Sequence, residues 1–131
     1  MDQTASPKSV DALDTCCNAL LHRSNNDGSG ILAQRFGADG NAVGSIISVN
    51  SDTADDQTRP RVAMNRLGQF VVTWNHVFAG AHHVVAQRFD ADGTALGTTI
   101  DVSQNGAATA TRPSIAIDER FNFVVAWDRI G

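Results

Sequence analysis

The chain repeats itself with a constant offset of 53 residues. Two motifs recur: Ala-Gln-Arg-Phe at 33–36 and 86–89, and Phe-Val-Val-x-Trp at 70–74 and 123–127. Aligning residues 26–78 with 79–131 gives 20 identities in 53 positions without a gap. A fixed period of this length indicates a repeat architecture, in which each unit buries its apolar surface against its neighbours.

Within each copy, short apolar runs are separated by turn residues, a pattern that predicts strands. We expect a mainly β fold with eight antiparallel strands, at 31–36, 45–50, 61–65, 69–75, 83–89, 98–103, 114–118 and 121–127. The run 70–74 is apolar on both faces, unlike a strand with one face in water, so we predict that it lies between two layers. We expect 123–127 to behave alike, and both tryptophans, Trp74 and Trp127, to belong to the core rather than to sugar-stacking platforms.

Residues 9–24 have a different period. Their apolar side chains recur at helical spacing, in Val10, Leu13, Cys16, Cys17, Leu20 and Leu21. This stripe predicts one N-terminal helix over 9–24, preceded by a disordered tail over 1–8 and followed by the β-repeat domain over 25–131. The adjacent cysteines are interpreted as reduced thiols, because a disulfide between neighbours would be strained and no partners stand at C-x-x-C spacing.

One turn and two prolines allow further structural predictions. The turn at 67–68 contains glycine, whereas its counterpart at 120–121 (Arg-Phe) has lost it, so we predict that this turn differs between the copies. Pro60 and Pro113 are expected just before strands, where the missing N–H costs least.

The run A-Q-R-F-(D)-A-D-G, followed by R-P-x-(V/I)-A and F-V-V-x-W, resembles a family of bacterial repeats of about 50 residues. These repeats occur in tandem in large surface and secreted proteins, and the resemblance covers residues 27–131. It implies one β-propeller-like blade per repeat, with no catalytic motif and no particular activity.

The number of repeats leaves the architecture open. The chain can hold two whole blades, or one whole blade flanked by two halves. Because two blades cannot close a ring, we expect either assembly of the chain with itself, as a dimer to tetramer, or a compact sandwich or barrel plugged by the helix.

Composition argues against several partners. The net charge is -4 and the ten Lys and Arg are scattered, which disfavours nucleic acid. No apolar stretch approaches the ~18 residues of a membrane span. The N-terminus lacks the features of a secretory signal, which favours the cytoplasm, whereas the resemblance implies an extracellular setting.

The candidate ligand-binding residues are three histidines, His76, His82 and His83, and two aspartates of an acidic loop, Asp55 and Asp56. Imidazoles prefer zinc, copper or nickel, but this spacing fits no zinc pattern, so we predict no metal site and read the histidines as exposed. The acidic loop is interpreted as solvated, with an ion- or sugar-binding mouth as the alternative.

Asp90 and Asp92 offer a calcium candidate, because D-x-D-G resembles the start of a calcium loop. The expected further carboxylates do not follow, so a hairpin turn is the preferred interpretation. Arg35 and Arg88 recur at one repeat position, which indicates a structural role between neighbouring units.

No nucleophile–base motif, Walker loop or dinucleotide fingerprint is present, so we expect no enzyme and no cofactor. The leading hypothesis is a non-enzymatic, self-associating binding module whose ligand could be a carbohydrate, by analogy of fold with small propeller lectins. The alternative is a structural repeat protein, or a fragment of a bacterial surface protein, whose partner is protein.

Overall fold

The structure, a computed structural model, describes residues 15–23, 29–50, 56–78, 81–103 and 109–130. Within these ranges the chain is all β, with no helix. The strands are β1 (Thr15–Arg23), β2 (Ser29–Gly37), β3 (Ala42–Ser48), β4 (Asp56–Met64), β5 (Phe70–Phe78), β6 (Ala81–Phe89), β7 (Ala95–Asp101), β8 (Thr109–Ile117) and β9 (Phe123–Ile130). The same ranges contain no helix long and apolar enough to cross a membrane.

The strands form three antiparallel sheets in chain order. The first sheet is β1-β2-β3, the middle sheet is β4-β5-β6-β7, and the last sheet is β8-β9. All eight predicted strands are therefore present, as β2 to β9. Of the two divisions of the repeat that the sequence allowed, the sheets match one complete four-stranded unit flanked by two partial ones.

The predicted helix over 9–24 is wrong where the structure describes it, because residues 15–23 form β1; residues 1–14 lie outside the described ranges. β1 pairs with β2 from Thr15 opposite Gly37 to Arg23 opposite Ser29. Without this pairing, one edge of β2 would expose a row of unpaired N–H and C=O groups. Residues 15–23 satisfy these backbone groups by pairing as a strand, although the spacing of their apolar residues is helical.

β4 and β8 begin before their prolines rather than after them. In each strand the register slips by one residue, between Thr58 and Arg61 and between Thr111 and Ser114. Each slip is a β-bulge that accommodates the proline, which cannot donate to the ladder. The residue before each proline takes a left-handed backbone, with φ of 58° at both Arg59 and Arg112.

The glutamine of the Ala-Gln-Arg-Phe motif supports a second bulge. Gln87 Nε2 donates to the carbonyl oxygens of Leu96 at 3.1 Å and Gly97 at 3.3 Å, where β7 departs from regular pairing. Gln34 repeats this arrangement in the first sheet. Gly97 has a φ of 73°, which side-chain-bearing residues rarely adopt, so glycine recurs at this repeat position.

The main core lies between the first and middle sheets. It joins Ile31 and Ala33 of β2, and Val49 directly after β3, to the middle-sheet residues Met64, Phe70, Val72, Trp74, Val85 and Phe89. Phe70 and Phe89 stack with ring centroids 4.9 Å apart. We call the face of a sheet that points to the preceding sheet its front, and the opposite face its back.

The back of the middle sheet is covered by β8, which contacts β4, β5 and β6. Val71 and Thr73 point to this side and are fully buried, while Trp74 on the front is 1% exposed. The prediction that 70–74 lies between two layers is therefore confirmed. Trp74 is a core residue and cannot stack on a sugar.

The turn at 118–122 repeats the turn at 65–69, contrary to the prediction that the two differ. Phe121 adopts a φ of 72° where Gly68 has 86°. The Phe121 N–H donates to the Asp118 carbonyl at 3.1 Å, as the Gly68 N–H does to Asn65 at 3.0 Å. The Arg88 guanidinium lies 5.7 Å from the centre of the Phe121 ring, a cation–π contact that helps to hold this backbone in place.

Candidate functional site

Four of the five predicted ligand-binding residues lie at one end of the middle sheet. His76 on β5 stands opposite His83 on β6, and His82 precedes His83. Asp56 begins β4 at the same end. Asp55 lies outside the described residues.

The histidines divide between the two faces of the sheet. His83 Nδ1 lies 3.4 Å from Asp101 Oδ2, with side chains 21% and 50% exposed. His82 Nδ1 lies 3.4 Å from Asn75 Nδ2. Neighbouring residues of a strand point to opposite faces, so His82 and His83 do not converge on one ligand.

Sequence reasoning missed Asp101 as a partner of His83. Its counterpart in the first copy is Ser48, so the repeat offers no signal, and the contact depends on how β6 and β7 are paired. The largely buried imidazole and the half-exposed carboxylate are close enough to form an ion pair when the imidazole is protonated. Within the described ranges, no group of three or more histidine, cysteine or carboxylate side chains is placed to hold a metal ion.

Asp90 and Asp92, the calcium candidates, stabilise the hairpin turn between β6 and β7. The Asp92 N–H donates to Asp90 Oδ1 at 3.0 Å, and the Thr94 N–H donates to Asp92 Oδ1 at 2.9 Å. Hydrogen bonding to Thr94, followed by smaller contributions that include the charge of Arg35, lowers the pKa of the Asp92 carboxyl. The two carboxylates thus accept hydrogen bonds from their own turn.

The repeated arginines connect consecutive sheets. Arg35 Nη1 donates to the Ala91 carbonyl oxygen at 2.8 Å, across from the first sheet to the middle one. Arg88 reaches from the middle sheet to Phe121 of the last sheet. Both contacts agree with the structural role predicted for these residues.

The last sheet exposes residues whose counterparts are buried in the middle sheet. Val124 is 66% exposed, whereas Val71 at the same repeat position is fully buried. Trp127 is 37% exposed, against 1% for Trp74. The expectation that 123–127 is covered on both faces is therefore wrong, because no described strand lies behind Val124. The expectation that Trp127 belongs to the core is wrong as well, since this side chain is exposed although it lies on the front. We call the back residues Ala116, Val124 and Ala126 the open face.

A groove of about 310 Å³ adjoins the open face. It is lined by Ala116, Ile117, Asp118, Asn122, Phe123 and Val124. On the middle sheet, the corresponding region binds the 118–122 turn of the last sheet: Asn65 Nδ2 donates to the Asp118 carbonyl at 3.1 Å, and the Arg66 N–H donates to Glu119 Oε1 at 3.1 Å. The groove therefore repeats a surface that, one unit earlier, holds a neighbouring repeat.

The edge of β9 is also unpaired among the described strands. Its counterpart β5 pairs with β6 over its whole length, from Phe70 opposite Phe89 to Phe78 opposite Ala81. The middle sheet also has one exposed apolar residue whose counterpart is covered. Ile100 on β7 is 37% exposed, while Ile47, at the same repeat position in the first sheet, packs against the core. Open face and open edge together distinguish the last sheet from the middle one.

No protein-family model matches the chain, and comparisons with curated proteins and with solved structures find no match.

Proposed function

We propose that this protein is a non-enzymatic interaction module that associates with further copies of itself through its propeller-like repeats. One observation carries the proposal: identical residues at one repeat position, Val71 and Val124, are fully buried in the middle sheet and 66% exposed in the last. A sequence suited to burial on both faces is retained where only one face is covered. The apolar side chain that β8 covers in the middle sheet is thus left without a covering strand in the last sheet, among the described residues.

The partner of this surface has the chemistry of the repeat itself. On the middle sheet, the equivalent surface is occupied by β8 and by the turn that follows it, which supplies a carbonyl and a carboxylate to Asn65 and Arg66. A second copy of the chain contains the same kinds of strand and turn. Self-association therefore needs no chemistry that the chain does not already use internally.

The free energy available from burying the open face is too small to hold two copies together. Burying a whole valine side chain contributes about 1.5–3 kcal/mol, whereas association costs an estimated 4–15 kcal/mol in lost freedom and ordering. The open face holds one valine and two alanines. A stable complex must therefore also engage the edge of β9, whose backbone groups can pair with another strand.

The test is the molar mass in solution, measured by light scattering after size exclusion over a range of concentrations. We expect the wild type to exceed the 13.9 kDa of one chain, and Val124→Glu to shift the mass towards that value. Leu67→Glu is the matched control, because Leu67 is 57% exposed although its sheet has neighbours on both faces. A wild type that stays at 13.9 kDa at all concentrations would refute the proposal.

A further inference from the structure

On the basis of the proposed self-association, we infer which strands make the contact: β9 of one copy takes the place of β1 beside β2 of another copy. The composite sheet then has the order β8-β9-β2-β3, with the last two strands from the second copy. This order repeats that of the middle sheet, β4-β5-β6-β7.

The repeat supplies the matching strands. β9 corresponds to β5 and β2 corresponds to β6, at the same offset of 53 residues. In the middle sheet, Phe70 stands opposite Phe89. Transferred to the composite sheet, this register places Phe123 opposite Phe36 of the other copy. The pairing reuses the Phe-Val-Val-x-Trp and Ala-Gln-Arg-Phe motifs that already form the centre of the middle sheet.

β1 is a poor match for the position that it holds. Residues 17–21, one period before 70–74, read Cys-Asn-Ala-Leu-Leu and share nothing with Phe-Val-Val-x-Trp. Its register also departs from the repeat: Cys16 stands opposite Phe36, whereas the offset of 53 residues from Phe70 and Phe89 would put Cys17 there. β1 is therefore a local substitute for the strand type that β9 represents.

The same exchange covers both open features of the last sheet. β4 packs against β1 and β2, as β8 packs against β5 and β6. A β9 strand placed beside β2 of another copy would lie next to that copy's β4, which would cover Val124 as β8 covers Val71. β2 and β3 would meanwhile provide strands behind Ile100. One occupant, a second copy of the chain, thus accounts for the open edge and the open face together.

Each copy donates β9 and accepts a strand at β2, so the contact is head to tail. Such contacts form rings when the rotation closes and filaments when it does not. Each copy then contributes one complete four-stranded unit, β4 to β7, and one half of each of two composite units.

A covalent lock tests the exchange in the full chain. Ala19 and Ala33 stand opposite each other in β1 and β2, so Ala19→Cys with Ala33→Cys, in a background with Cys16→Ser and Cys17→Ser, can form a disulfide within one copy. We expect oxidation to reduce the mass of the associated protein to 13.9 kDa, and a reductant to restore the larger mass.

A second pair tests the new contact directly. The transferred register places Ala126 opposite Ala33 of the other copy, so Ala33→Cys with Ala126→Cys, in the same background, is expected to give disulfide-linked dimers and larger species on a non-reducing gel. Ala33→Cys with Val125→Cys is the matched control, because Val125 points to the opposite face, and it should stay at one chain.

The outcomes separate this inference from the proposed function. A monomeric wild type refutes both. The strand exchange alone is refuted if the wild type associates, the oxidised 19–33 variant keeps the larger mass, and the 33–126 variant forms no cross-link. Loss of association in the lock together with the 33–126 cross-link supports the exchange, and a cross-link without an effect of the lock overturns the displacement of β1.

Discussion

Val71 and Val124 provide a matched test of how differently the middle and last sheets are packed. They occupy the same position in strands that share Phe-Val-Val-x-Trp, and they differ in exposure, 0% against 66%. Replacing each with alanine makes the same chemical change on two backgrounds. Any difference in the free energy of unfolding therefore reports burial rather than residue type.

The expected magnitudes follow from the exposed fractions. Val→Ala removes two carbon groups, worth about 1.6 kcal/mol at ~0.8 kcal/mol for each buried group. At Val71 the surrounding strands relax only partly around the cavity, so the total loss should be about 2–3 kcal/mol. At Val124 only about a third of the side chain is buried, which scales the loss to about 0.5 kcal/mol.

Urea unfolding followed by tryptophan fluorescence measures both variants, at a protein concentration low enough to keep the chain monomeric. Equal losses for Val71→Ala and Val124→Ala under these conditions would show that the last sheet is as well covered as the middle one, which refutes the reasoning. At concentrations that allow the proposed association, the loss for Val124→Ala should rise towards that for Val71→Ala, because a second copy would cover Val124.

Two further predictions concern single hydrogen bonds and turns. Asn50 Oδ1 accepts the Ile31 N–H at 2.7 Å in a buried position, so Asn50→Ala should lower the free energy of unfolding by about 1–3 kcal/mol in thermal denaturation; an unchanged midpoint would contradict this. Hydrogen bonds from the side chain and backbone of Asn122 lower the pKa of the Asp118 carboxyl in the folded protein. The ionised carboxylate therefore stabilises the fold fully above the unfolded-state pKa of about 3.9. This stabilisation disappears as the pH falls through the lower folded-state pKa. Wild-type stability should therefore decline more steeply than that of Asp118→Asn below about pH 4, and parallel pH profiles would count against the role of this carboxylate.

The repeat made most of the strand pattern predictable. Strand position follows from where apolar runs and turn residues lie, and both recur at a fixed offset. The full burial of 70–74 was likewise foreseeable, because a strand that is apolar on both faces needs cover on both. The Ala-Gln-Arg-Phe motif was visible as a unit, although the bulge that its glutamine supports was not.

Local sequence patterns gave wrong predictions where contacts with distant strands determine the backbone conformation. The spacing of apolar residues in 9–24 is helical, yet residues 15–23 pair as β1, because β2 presents an edge that must be satisfied. Phe121 takes a backbone conformation that favours glycine because its turn is held by hydrogen bonds and by Arg88 from the neighbouring sheet. The His83–Asp101 contact arose from pairing between two strands, which no local signal specifies.

The sequence by itself determined that the protein is built from two copies of a β unit, because a constant period and an apolar strand pattern are properties of the chain alone. Only the tertiary structure decided how those copies are divided among sheets: four strands in the middle, three before and two after. Burial depends on which strands face each other, so the same motif is enclosed at 70–74 and open at 123–127.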